Sequence, residues 1–561
     1  MLSENLVRCL EQSIKTHWEL PALSDYKGQT LTYSDVAHNI GWLHEVFKKI
    51  HLKQGDKIAV VGKNSVHWCL TYLATVTYSA VIVPILPDFN AGDVHHIVTH
   101  SDAVLLFVSD QIFESLDESK MPHLKAIFSL NRFELLYTNK KHVPQILQQL
   151  NERSLQGENA LSAPEQFSLP EVPNNELASI VYTSGTTGFS KGVMLAHNSL
   201  IANVMFAQHN MPLKPGDTIV SFLPLAHAYG CAFEFLFPFS VGCHITLLSK
   251  TPSPKIILQA FQDVRPRLIL SVPLVIEKIY QKKIKPVLQK PALRWAMKIP
   301  PIKHMMLRKI EQSLTESFGG NFFEIIIGGA ALNEEVEAFL KTIGFRFTIG
   351  YGMTECGPLV SYAPWNDHRP TSVGRSITYL EVKIREADPQ TGVGAIVVRG
   401  ENVMQGYYKN DNATKEVLDE SGWLDIGDLG SIDDEGFIYI KGRYKNMLVG
   451  PSGQNIYPEE IEARLNNLPF VLESLVLEKQ GKLVALVYPD LERADVKGLS
   501  EAQIAERLEE NRKRLNTHLP AYSAISKIEL YPKEFEKTPT RKIKRFLYKI
   551  SLENGVEKSD R

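Results

Sequence analysis

Short apolar runs rich in β-branched residues alternate along the chain with segments of helical periodicity. Their hydrophobicity is continuous rather than alternating, as in residues 57–61, 80–83, 103–108 and 268–272. Strands with this pattern are typically buried on both faces, because helices cover both sides of their sheet. The pattern therefore predicts an α/β fold of several stacked layers.

Two longer apolar stretches need a separate interpretation. Residues 69–86 carry no charge but include Pro84 and several hydroxyl side chains, and residues 219–248 include His227 and Glu234. Polar groups and helix breakers of this kind are unfavourable in a membrane-spanning helix. Both stretches are therefore predicted to form buried helix-plus-strand core.

The composition changes near Lys441, and a compact set of short elements follows from about residue 445. In order, the sequence predicts a helix over 459–465 with Pro458 in its first turn, strands over 471–477 and 482–488, a helix opened by a capping box of Ser500 and Gln503, and a strand over 527–531. The chain is thus predicted to form a large N-terminal domain over 1–444 and a small α+β C-terminal domain over 445–561.

Length, charge and cysteine content restrict the functional classes. The 561 residues exceed what one hydrophobic core usually supports, and the net charge of −2 gives no reason to expect nucleic acid as a partner. The five cysteines are scattered and contain no CxxC pair, which argues against a disulfide framework or a zinc site. Glu4, Arg8 and Glu11 interrupt any apolar core of a signal peptide, so we expect a cytoplasmic location.

The sharpest chemical motif is residues 182–192, with the sequence Tyr-Thr-Ser-Gly-Thr-Thr-Gly-Phe-Ser-Lys-Gly. It follows an apolar strand over 178–181 and contains five Ser/Thr hydroxyls, three glycines and one lysine. Glycines allow close approach of the backbone, and free amides and hydroxyls can surround a polyphosphate. The motif indicates phosphate binding, although a Ser/Thr/Gly run by itself is more often a flexible loop, and the pattern is not a Walker A loop.

Two further motifs follow predicted strands. Residues 324–335 indicate a strand, a glycine turn and a helix capped by Asn333, which by itself would be only a tightly packed turn. Residues 350–355, Gly-Tyr-Gly-Met-Thr-Glu, place an aromatic ring, a hydroxyl and a carboxylate at a strand end. The ring could stack on a base and Glu355 could hold Mg²⁺ beside phosphates, although a glycine turn with a solvated acid has the same pattern.

Three weaker motifs complete the set. Residues 422–428 end in Asp428, a carboxylate suited to a sugar diol, and Arg443 follows a glycine. Each of these two, read alone, is an ordinary surface turn. Residues 538–545, which include Lys542, form a basic tail that by itself is a solvated surface.

In their order and approximate spacing, these six motifs resemble those of the adenylate-forming superfamily of acyl-CoA synthetases, peptide-synthetase adenylation domains and firefly luciferases. The resemblance extends over about residues 5–550, and residues 271–280 and 452–460 are most similar to long-chain fatty acid:CoA ligases. It implies a large ATP- and acyl-binding domain and a small mobile C-terminal domain that carries a catalytic lysine. It also implies attack of a carboxylic acid on the ATP α-phosphate, followed by transfer of the acyl group from AMP to CoA. The expected cosubstrates and cofactors are therefore ATP, CoA and Mg²⁺.

The resemblance also assigns site residues. The ATP- and AMP-binding residues are expected to be Thr183, Ser184, Gly185, Thr186, Thr187, Gly188, Lys191, Gly329, Ala330, Ala331, Tyr351, Gly352, Met353, Thr354, Asp428 and Arg443. The segment 183–191 is expected at the β- and γ-phosphates, residues 329–331 and 351 at the adenine, and Asp428 with Arg443 at the ribose. The expected catalytic residues are Lys542, Thr354, Glu355 and His227, with Glu355 and Thr186 as metal ligands and Lys445 as the hinge.

Some positions depart from the usual pattern of the superfamily. Ser190 replaces a common proline, Ile426 a common threonine, and Arg541 the usual glycine before the lysine. The last change bears on the backbone at Lys542, because the freedom of glycine is lost there. His227 also has a second interpretation as a hydrogen-bonded core histidine.

Several functional alternatives stay open. The acceptor could be an acyl carrier protein rather than CoA, as in a fatty acyl-AMP ligase, and the chain could bind a nucleotide without turnover. A luciferase-like oxygenase or a peptide-synthetase module is less consistent with the chain, which stops soon after residue 545 without a carrier domain.

One segment outside the motifs is strongly basic. Residues 278–309 contain ten basic residues and no acidic one, four prolines, and interspersed aromatic and aliphatic side chains. This mixture suits the surface of an anionic membrane, so peripheral membrane contact is one expectation. A solvated basic face whose apolar residues belong to the core is the other.

Overall fold

The computed structural model describes residues 2–155, 161–183, 191–249, 253–288, 290, 295, 298–449, 454–479, 481–491, 498–537 and 543–548. Its strands are β1 (Pro21–Asp25), β2 (Thr30–Thr32), β3 (Lys57–Val61), β4 (Val81–Ile85), β5 (Ala103–Val108), β6 (Ala126–Ser129), β7 (Leu135–Thr138), β8 (Leu177–Thr183), β9 (Lys191–Ala196), β10 (Thr218–Ser221), β11 (His244–Leu247), β12 (Leu268–Ser271), β13 (Glu324–Ile327), β14 (Phe347–Ile349), β15 (Tyr351–Gly352), β16 (Leu359–Tyr362), β17 (Arg375–Ser376), β18 (Leu380–Arg385), β19 (Gly394–Gly400), β20 (Gly406–Tyr407), β21 (Leu424–Ile432), β22 (Ile438–Arg443), β23 (Leu448–Val449), β24 (Asn455–Ile456), β25 (Val471–Lys479), β26 (Lys482–Pro489) and β27 (Ile525–Leu530).

Helices connect most of these strands. The α-helices are α1 (Leu6–Thr16), α2 (Tyr33–Lys49), α3 (Val66–Thr77), α4 (Ala91–His100), α5 (Asp110–Phe113), α6 (Val143–Leu155), α7 (His197–Asn210), α8 (Ala228–Gly230), α9 (Phe237–Val241), α10 (Pro254–Val264), α11 (Pro273–Ile279), α12 (Lys285–Leu288), α13 (Pro300–Ser317), α14 (Glu334–Ile343), α15 (Asp411–Val417), α16 (Pro458–Leu465) and α17 (Glu501–Asn516). Two π-helical turns, Cys231–Leu236 and Tyr280–Ile284, follow α8 and α11.

The largest sheet has eight strands in the order β20-β9-β8-β4-β3-β5-β6-β7. Its centre, β8-β4-β3-β5-β6, is parallel, and the strands at both ends are antiparallel. Burial of β3, β4 and β5 on both faces explains their continuous apolar sequence. The layered α/β prediction is confirmed.

A second parallel sheet, β12-β13-β14, lies beside β10-β11-β1-β2, in which only the β1–β2 pair is antiparallel. The stretch 69–86 forms most of α3 and all of β4, and the stretch 219–248 forms β10, α8, the first π-turn, α9 and β11. Both are largely buried, as predicted. None of the described helices is long and apolar enough to cross a membrane.

A smaller unit follows β22. Its sheet, β25-β26-β27, is covered by α16 and α17 around a separate apolar core. Pro458 occupies the first turn of α16, and the Ser500–Gln503 capping box opens α17, as the sequence predicts. The large N-terminal part and the small α+β C-terminal part are thus present.

Read alone, residues 422–428 are an ordinary surface turn, but only their start belongs to a turn and the rest forms β21. Asp428 lies inside β21, which pairs with β19 and with β22, and its side chain is buried. The local sequence resembles a turn because Gly422 and Gly427 both have positive φ, but the pairing of distant strands buries the carboxylate.

Candidate functional site

The carboxyl ends of three parallel strands form one edge of the site. β12 ends beside Val272, β13 runs into Gly328, and β14 runs into Gly350. The Gly328 amide donates to the Ser271 carbonyl at 3.0 Å, and the Gly350 amide donates to the Ile327 carbonyl at 3.0 Å. Ligands of open parallel sheets bind at such an edge.

Residues 329–331 form an exposed loop at this edge. Gly329 has a φ of +86°, a conformation that side chains disfavour, so the turn requires a glycine. Asn333 then caps α14, because its Oδ1 accepts from the amides of Glu335 and Val336 at 3.0 and 3.2 Å. The loop is therefore exposed and leads into a helix whose first turn is held by the Asn333 cap.

Next to this loop, Tyr351, Asp428 and Arg443 form one cluster. The Tyr351 hydroxyl donates to Asp428 Oδ2, and Arg443 Nε lies 3.2 Å from Asp428 Oδ1. Asp428 and Arg443 are register partners in β21 and β22. Burial, and then the negative charge of Asp428, raise the pKa of Tyr351 well above its usual range, so it stays a donor.

Thr183 and Lys191 are register partners in the β8–β9 hairpin, at the end where the connecting segment leaves β8 and enters β9. Lys191 Nζ lies 4.6 Å from the centroid of the Tyr407 ring, within cation–π range. The predicted phosphate residues between them, Ser184, Gly185, Thr186, Thr187 and Gly188, lie outside the described residues. The hairpin fixes both ends of that segment and places an ammonium group at one of them.

Glu355, in the short helical turn between β15 and β16, contacts the same tyrosine. The Tyr407 hydroxyl donates to Glu355 Oε1 at 2.9 Å, and the Met404 amide donates to the Glu355 carbonyl at 2.8 Å. The pKa of Tyr407 is raised by burial and by the neighbouring Glu355 carboxylate. Tyr407 thus joins Lys191 to Glu355, two residues far apart in sequence.

The turn before Glu355 is tightly packed. A Cβ atom on Gly352 would lie 2.1 Å from the Pro358 carbonyl oxygen, so only glycine fits there. Met353 is half-buried and Thr354 is buried. The predicted residues of this motif therefore sit on one rigid turn beside Tyr351.

His227 begins α8 on the other side of the site. Its Nδ1 accepts from the Tyr229 amide at 3.3 Å, and the ring is half-buried. The loop before it is held by two buried side chains: Asn64 bonds to Leu223 and Leu225, and Glu234 Oε2 accepts from the amides of Phe222 and Leu223. Burial raises the pKa of Glu234 well above its usual range.

Ala226 and Ala228, on either side of His227, line a small apolar cavity. Its walls also include Cys231 and Gly357, and Tyr72 lies among the other lining residues. The enclosed space is about 10 Å³, enough for about one water molecule. The apolar lining, rather than the present volume, suits a hydrocarbon chain.

Two predicted residues are not brought into this arrangement. Lys542 lies outside the described residues. Lys445 is exposed in the short turn Tyr444–Asn446, and its neighbour Asn446 donates to Glu459 in α16 at 2.6 Å. Lys445 therefore stands between β22 and the small domain.

The sequence did not point to Tyr407, Asn64 or Glu234 as site-building residues. The signal at Tyr407 is a Gly-Tyr pair on a two-residue strand, which is too short to stand out. The sequence signal at Glu234 is only a charged residue inside the apolar stretch 219–248. A buried carboxylate in such a stretch requires donors, and here they are the amides before His227.

A model of the family described as AMP-binding enzyme matches residues 10–408 of the chain. The protein belongs to this family of AMP-binding enzymes. The match covers every described cluster on the N-terminal side of β21.

Curated relatives of this AMP-binding enzyme include ligases of fatty acids. It is 26% identical over 551 residues to the long-chain-fatty-acid–CoA ligase FadD15 of Mycobacterium bovis, covering 90% of this chain and 88% of the relative. It is 26% identical over 517 residues to the long-chain-fatty-acid–CoA ligase ACSBG2 of Rattus norvegicus, covering 85% and 75%.

Solved structures show the same fold. ATP-bound MatB from Rhodopseudomonas palustris aligns with a TM-score of 0.75 at 23% identity and 98% coverage of both chains. A fatty acyl CoA synthetase of Mycobacterium tuberculosis aligns with a TM-score of 0.66 at 22% identity and 99% coverage of both chains. The AMP-binding enzyme described here therefore has the adenylate-forming fold of the acyl-CoA synthetases.

Proposed function

We propose that the enzyme activates a medium- or long-chain fatty acid as its acyl adenylate, with release of pyrophosphate, and then transfers the acyl group to CoA. The observation that carries this proposal is the convergence of Lys191 and Glu355 on Tyr407 beside the Tyr351–Asp428–Arg443 cluster. A cation for phosphates, a carboxylate for a metal, and a carboxylate for a diol are the groups that ATP requires. The apolar side chains that line the small cavity beside His227 support a hydrocarbon chain as the acid's substituent.

In this proposal each cluster binds one part of ATP. The loop 329–331 and Tyr351 take the adenine, and Asp428 accepts hydrogen bonds from the ribose hydroxyls while Arg443 holds it in place. Lys191 and the segment 183–188 take the β- and γ-phosphates. An ammonium held in advance needs no reorganisation as charge moves onto the departing pyrophosphate.

The donor set fits Mg²⁺ through Glu355. Within the described residues, no group of three or more His, Cys, Asp or Glu side chains could hold a metal ion. Mg²⁺ in nucleotide sites commonly needs only one or two carboxylates, because phosphates and water complete its octahedron. Glu355 would hold the ion together with the Thr186 hydroxyl, and the ion would neutralise charge on the phosphates.

The acid's carboxylate oxygen attacks the α-phosphorus, and the bond to the bridging oxygen of pyrophosphate breaks. This produces a mixed anhydride whose leaving group is AMP. Lys542 would place its ammonium between the acid and the α-phosphate, and Thr354 would contact the same phosphate. The CoA thiolate then attacks the acyl carbon near His227, and AMP leaves.

A panel of acids of rising chain length, assayed with ATP, Mg²⁺ and CoA, tests the proposal. We expect acid-dependent pyrophosphate release that is strongest with medium or long chains, and thioester formation with CoA. A protein that binds ATP but releases no pyrophosphate with any acid would be a nucleotide-binding protein without turnover.

Replacing CoA by a phosphopantetheinylated acyl carrier protein distinguishes the second candidate. Acyl-AMP formation with transfer only to the carrier protein would identify a fatty acyl-AMP ligase or carrier-protein synthetase. We propose a cytoplasmic enzyme, since the predicted chemistry uses the ATP and CoA of that compartment.

A further inference from the structure

We propose that the outer face of helices α11 to α13 docks on an anionic membrane surface. This face, here called the basic face, includes the described residues of the connection between α12 and α13. It carries six exposed basic side chains: Lys278, Lys290, Lys298, Lys303, Arg308 and Lys309. Within the described part of the chain, none of the six forms an ion pair or a side-chain hydrogen bond. Lys285, on the inner side, is different, because it pairs with Glu335 at 2.9 Å.

Large apolar side chains are exposed among these charges. Leu274, Val287, Trp295 and Met305 are 48%, 41%, 68% and 52% exposed. Trp295 exceeds every other large apolar residue of the described chain in exposure. Isolated exposed apolar residues are ordinary, but four in one stretch of chain that also exposes six basic side chains are characteristic of an interaction surface.

Other apolar side chains of the same helices are buried in the core of the N-terminal domain. Ile276, Ile279, Tyr280, Ile284 and Leu314 line one small apolar cavity together with Phe318, Leu340 and Phe345. The four exposed residues are therefore additional to the core rather than part of it. This removes the interpretation in which every apolar residue of the segment is core and only the charges are exposed.

The chemistry of the face favours a lipid surface over an acidic protein. Basic side chains attract anionic headgroups, and aromatic and aliphatic side chains between them can enter the boundary between headgroups and acyl chains. An acidic protein would use the cations but would leave Trp295 and Met305 without a matching environment. Prolines near the starts of α12 and α13 also divide this stretch into separate helices, so it does not form one long helix.

The basic face is connected to the nucleotide site. α11 starts after Val272, whose side chain lies near Gly329, and α11 with the following turns reaches outward for roughly 20 Å at 1.5 Å per residue. Glu277 accepts from the Asn333 amide at 3.0 Å, and Tyr280 donates to Glu335 at 2.9 Å. A docked enzyme would thus hold its site close to the membrane in which fatty acids partition. This benefit of docking rests on the proposed function.

Binding to vesicles tests the docking directly. The full-length enzyme is sedimented with vesicles of phosphatidylcholine containing phosphatidylglycerol, and with phosphatidylcholine alone, at low and high salt. We expect binding to the anionic vesicles that weakens with salt, and a loss of at least about tenfold in the variant Lys290→Glu/Lys298→Glu/Lys303→Glu. The control variant Lys53→Glu/Lys140→Glu/Lys141→Glu changes the net charge equally at exposed lysines elsewhere and should bind like the wild type.

Trp295 provides a second readout. Its fluorescence should shift to the blue on anionic vesicles, and the vesicle-dependent shift should vanish in Trp295→Phe. Equal binding by the wild type and the basic-face variant, or no binding at low salt, would overturn the proposal. The proposal would also be overturned if the basic-face variant bound vesicles as the wild type does but no longer bound an acidic carrier protein.

Catalysis separates this proposal from the preceding one. Pyrophosphate release with a short, water-soluble acid should be equal in the wild type and in both triple variants. If that release is absent in all three proteins, the proposed function fails while the vesicle result still decides the docking.

Discussion

At the scale of single residues, Tyr407 is the position where phosphate and metal groups meet. Its ring lies under the Lys191 ammonium, and its hydroxyl donates to Glu355. Tyr407→Phe keeps the ring and removes only the hydrogen bond. Because bonds to charged groups contribute about 1.5–3 kcal/mol, we expect adenylation to fall by at least about tenfold with a higher Mg²⁺ requirement.

A magnesium titration of acid-dependent pyrophosphate release measures this effect. Tyr408→Phe is the matched control, since the neighbouring hydroxyl donates to Asp102 instead of Glu355. Glu355→Gln should shift the same titration further. A Tyr407→Phe titration identical to wild type would exclude the role of the hydroxyl in orienting Glu355.

His44 makes stability depend on pH. Burial lowers the pKa of His44 to about 4, although its ring also bonds to the Ala74 carbonyl. Below about pH 6.5 the unfolded chain binds a proton that the folded chain does not, so stability falls as pH decreases from 6.5 to 4. The shift corresponds to roughly 3 kcal/mol across that window.

Chemical unfolding at several pH values tests this expectation. His44→Gln, which keeps a donor for Ala74, should flatten the decline between pH 6.5 and 4 and leave a similar slope elsewhere. An unchanged slope would assign the acid sensitivity to other groups, such as His197, whose pKa burial also lowers to about 4.

At the scale of elements, the π-turn Cys231–Leu236 supports the loop that carries His227. Glu234 in this turn accepts from two buried amides, at Phe222 and Leu223, at 3.0 Å each. Glu234→Ala leaves both donors without an acceptor and should lower the free energy of unfolding by about 3 kcal/mol. Glu234→Gln retains one acceptor oxygen and should lose much less.

Urea denaturation of the two variants compares these outcomes. Burial raises the pKa of Glu234 well above its usual range and so favours the neutral acid, which the amide of glutamine resembles. Equal losses in both variants would show that packing, rather than the acceptor, holds the loop.

Elements with local signals were predictable from the sequence. The capping box at Ser500 and the cap at Asn333 involve residues three positions apart or fewer, and the buried strands have continuous apolar runs. The burial of Asp428 was not predictable from local sequence, because β21 is defined by its pairing with β19 and β22. Tyr407 was missed for the same reason, since its importance comes from contacts with Lys191 on the paired strand β9 and with Glu355, both far away in the sequence.

At the scale of the whole molecule, two reactions must share one site. Lys542 belongs to the C-terminal domain, and we expect it to serve only the first reaction. Lys542→Ala should slow acyl-AMP formation by about a hundredfold or more and leave thioester formation from supplied acyl-AMP largely intact. Single-turnover assays of each half-reaction measure the two rates separately, and equal losses in both would contradict a lysine confined to adenylation.

Asn333 has a position that bears on how this sharing is controlled. It follows the loop 329–331, caps α14, and donates through Nδ2 to Asn467 of the C-terminal domain. A neutral hydrogen bond contributes about 1 kcal/mol net, which changes an equilibrium constant only about fivefold. The exposed Lys441–Glu460 pair at 3.3 Å adds little, because solvent screens it. These two polar contacts are too weak by themselves to fix the domain orientation. A ligand that binds one orientation better can then shift the populations of orientations, so the ratio of ATP to CoA in the surroundings would bias how the enzyme divides its time.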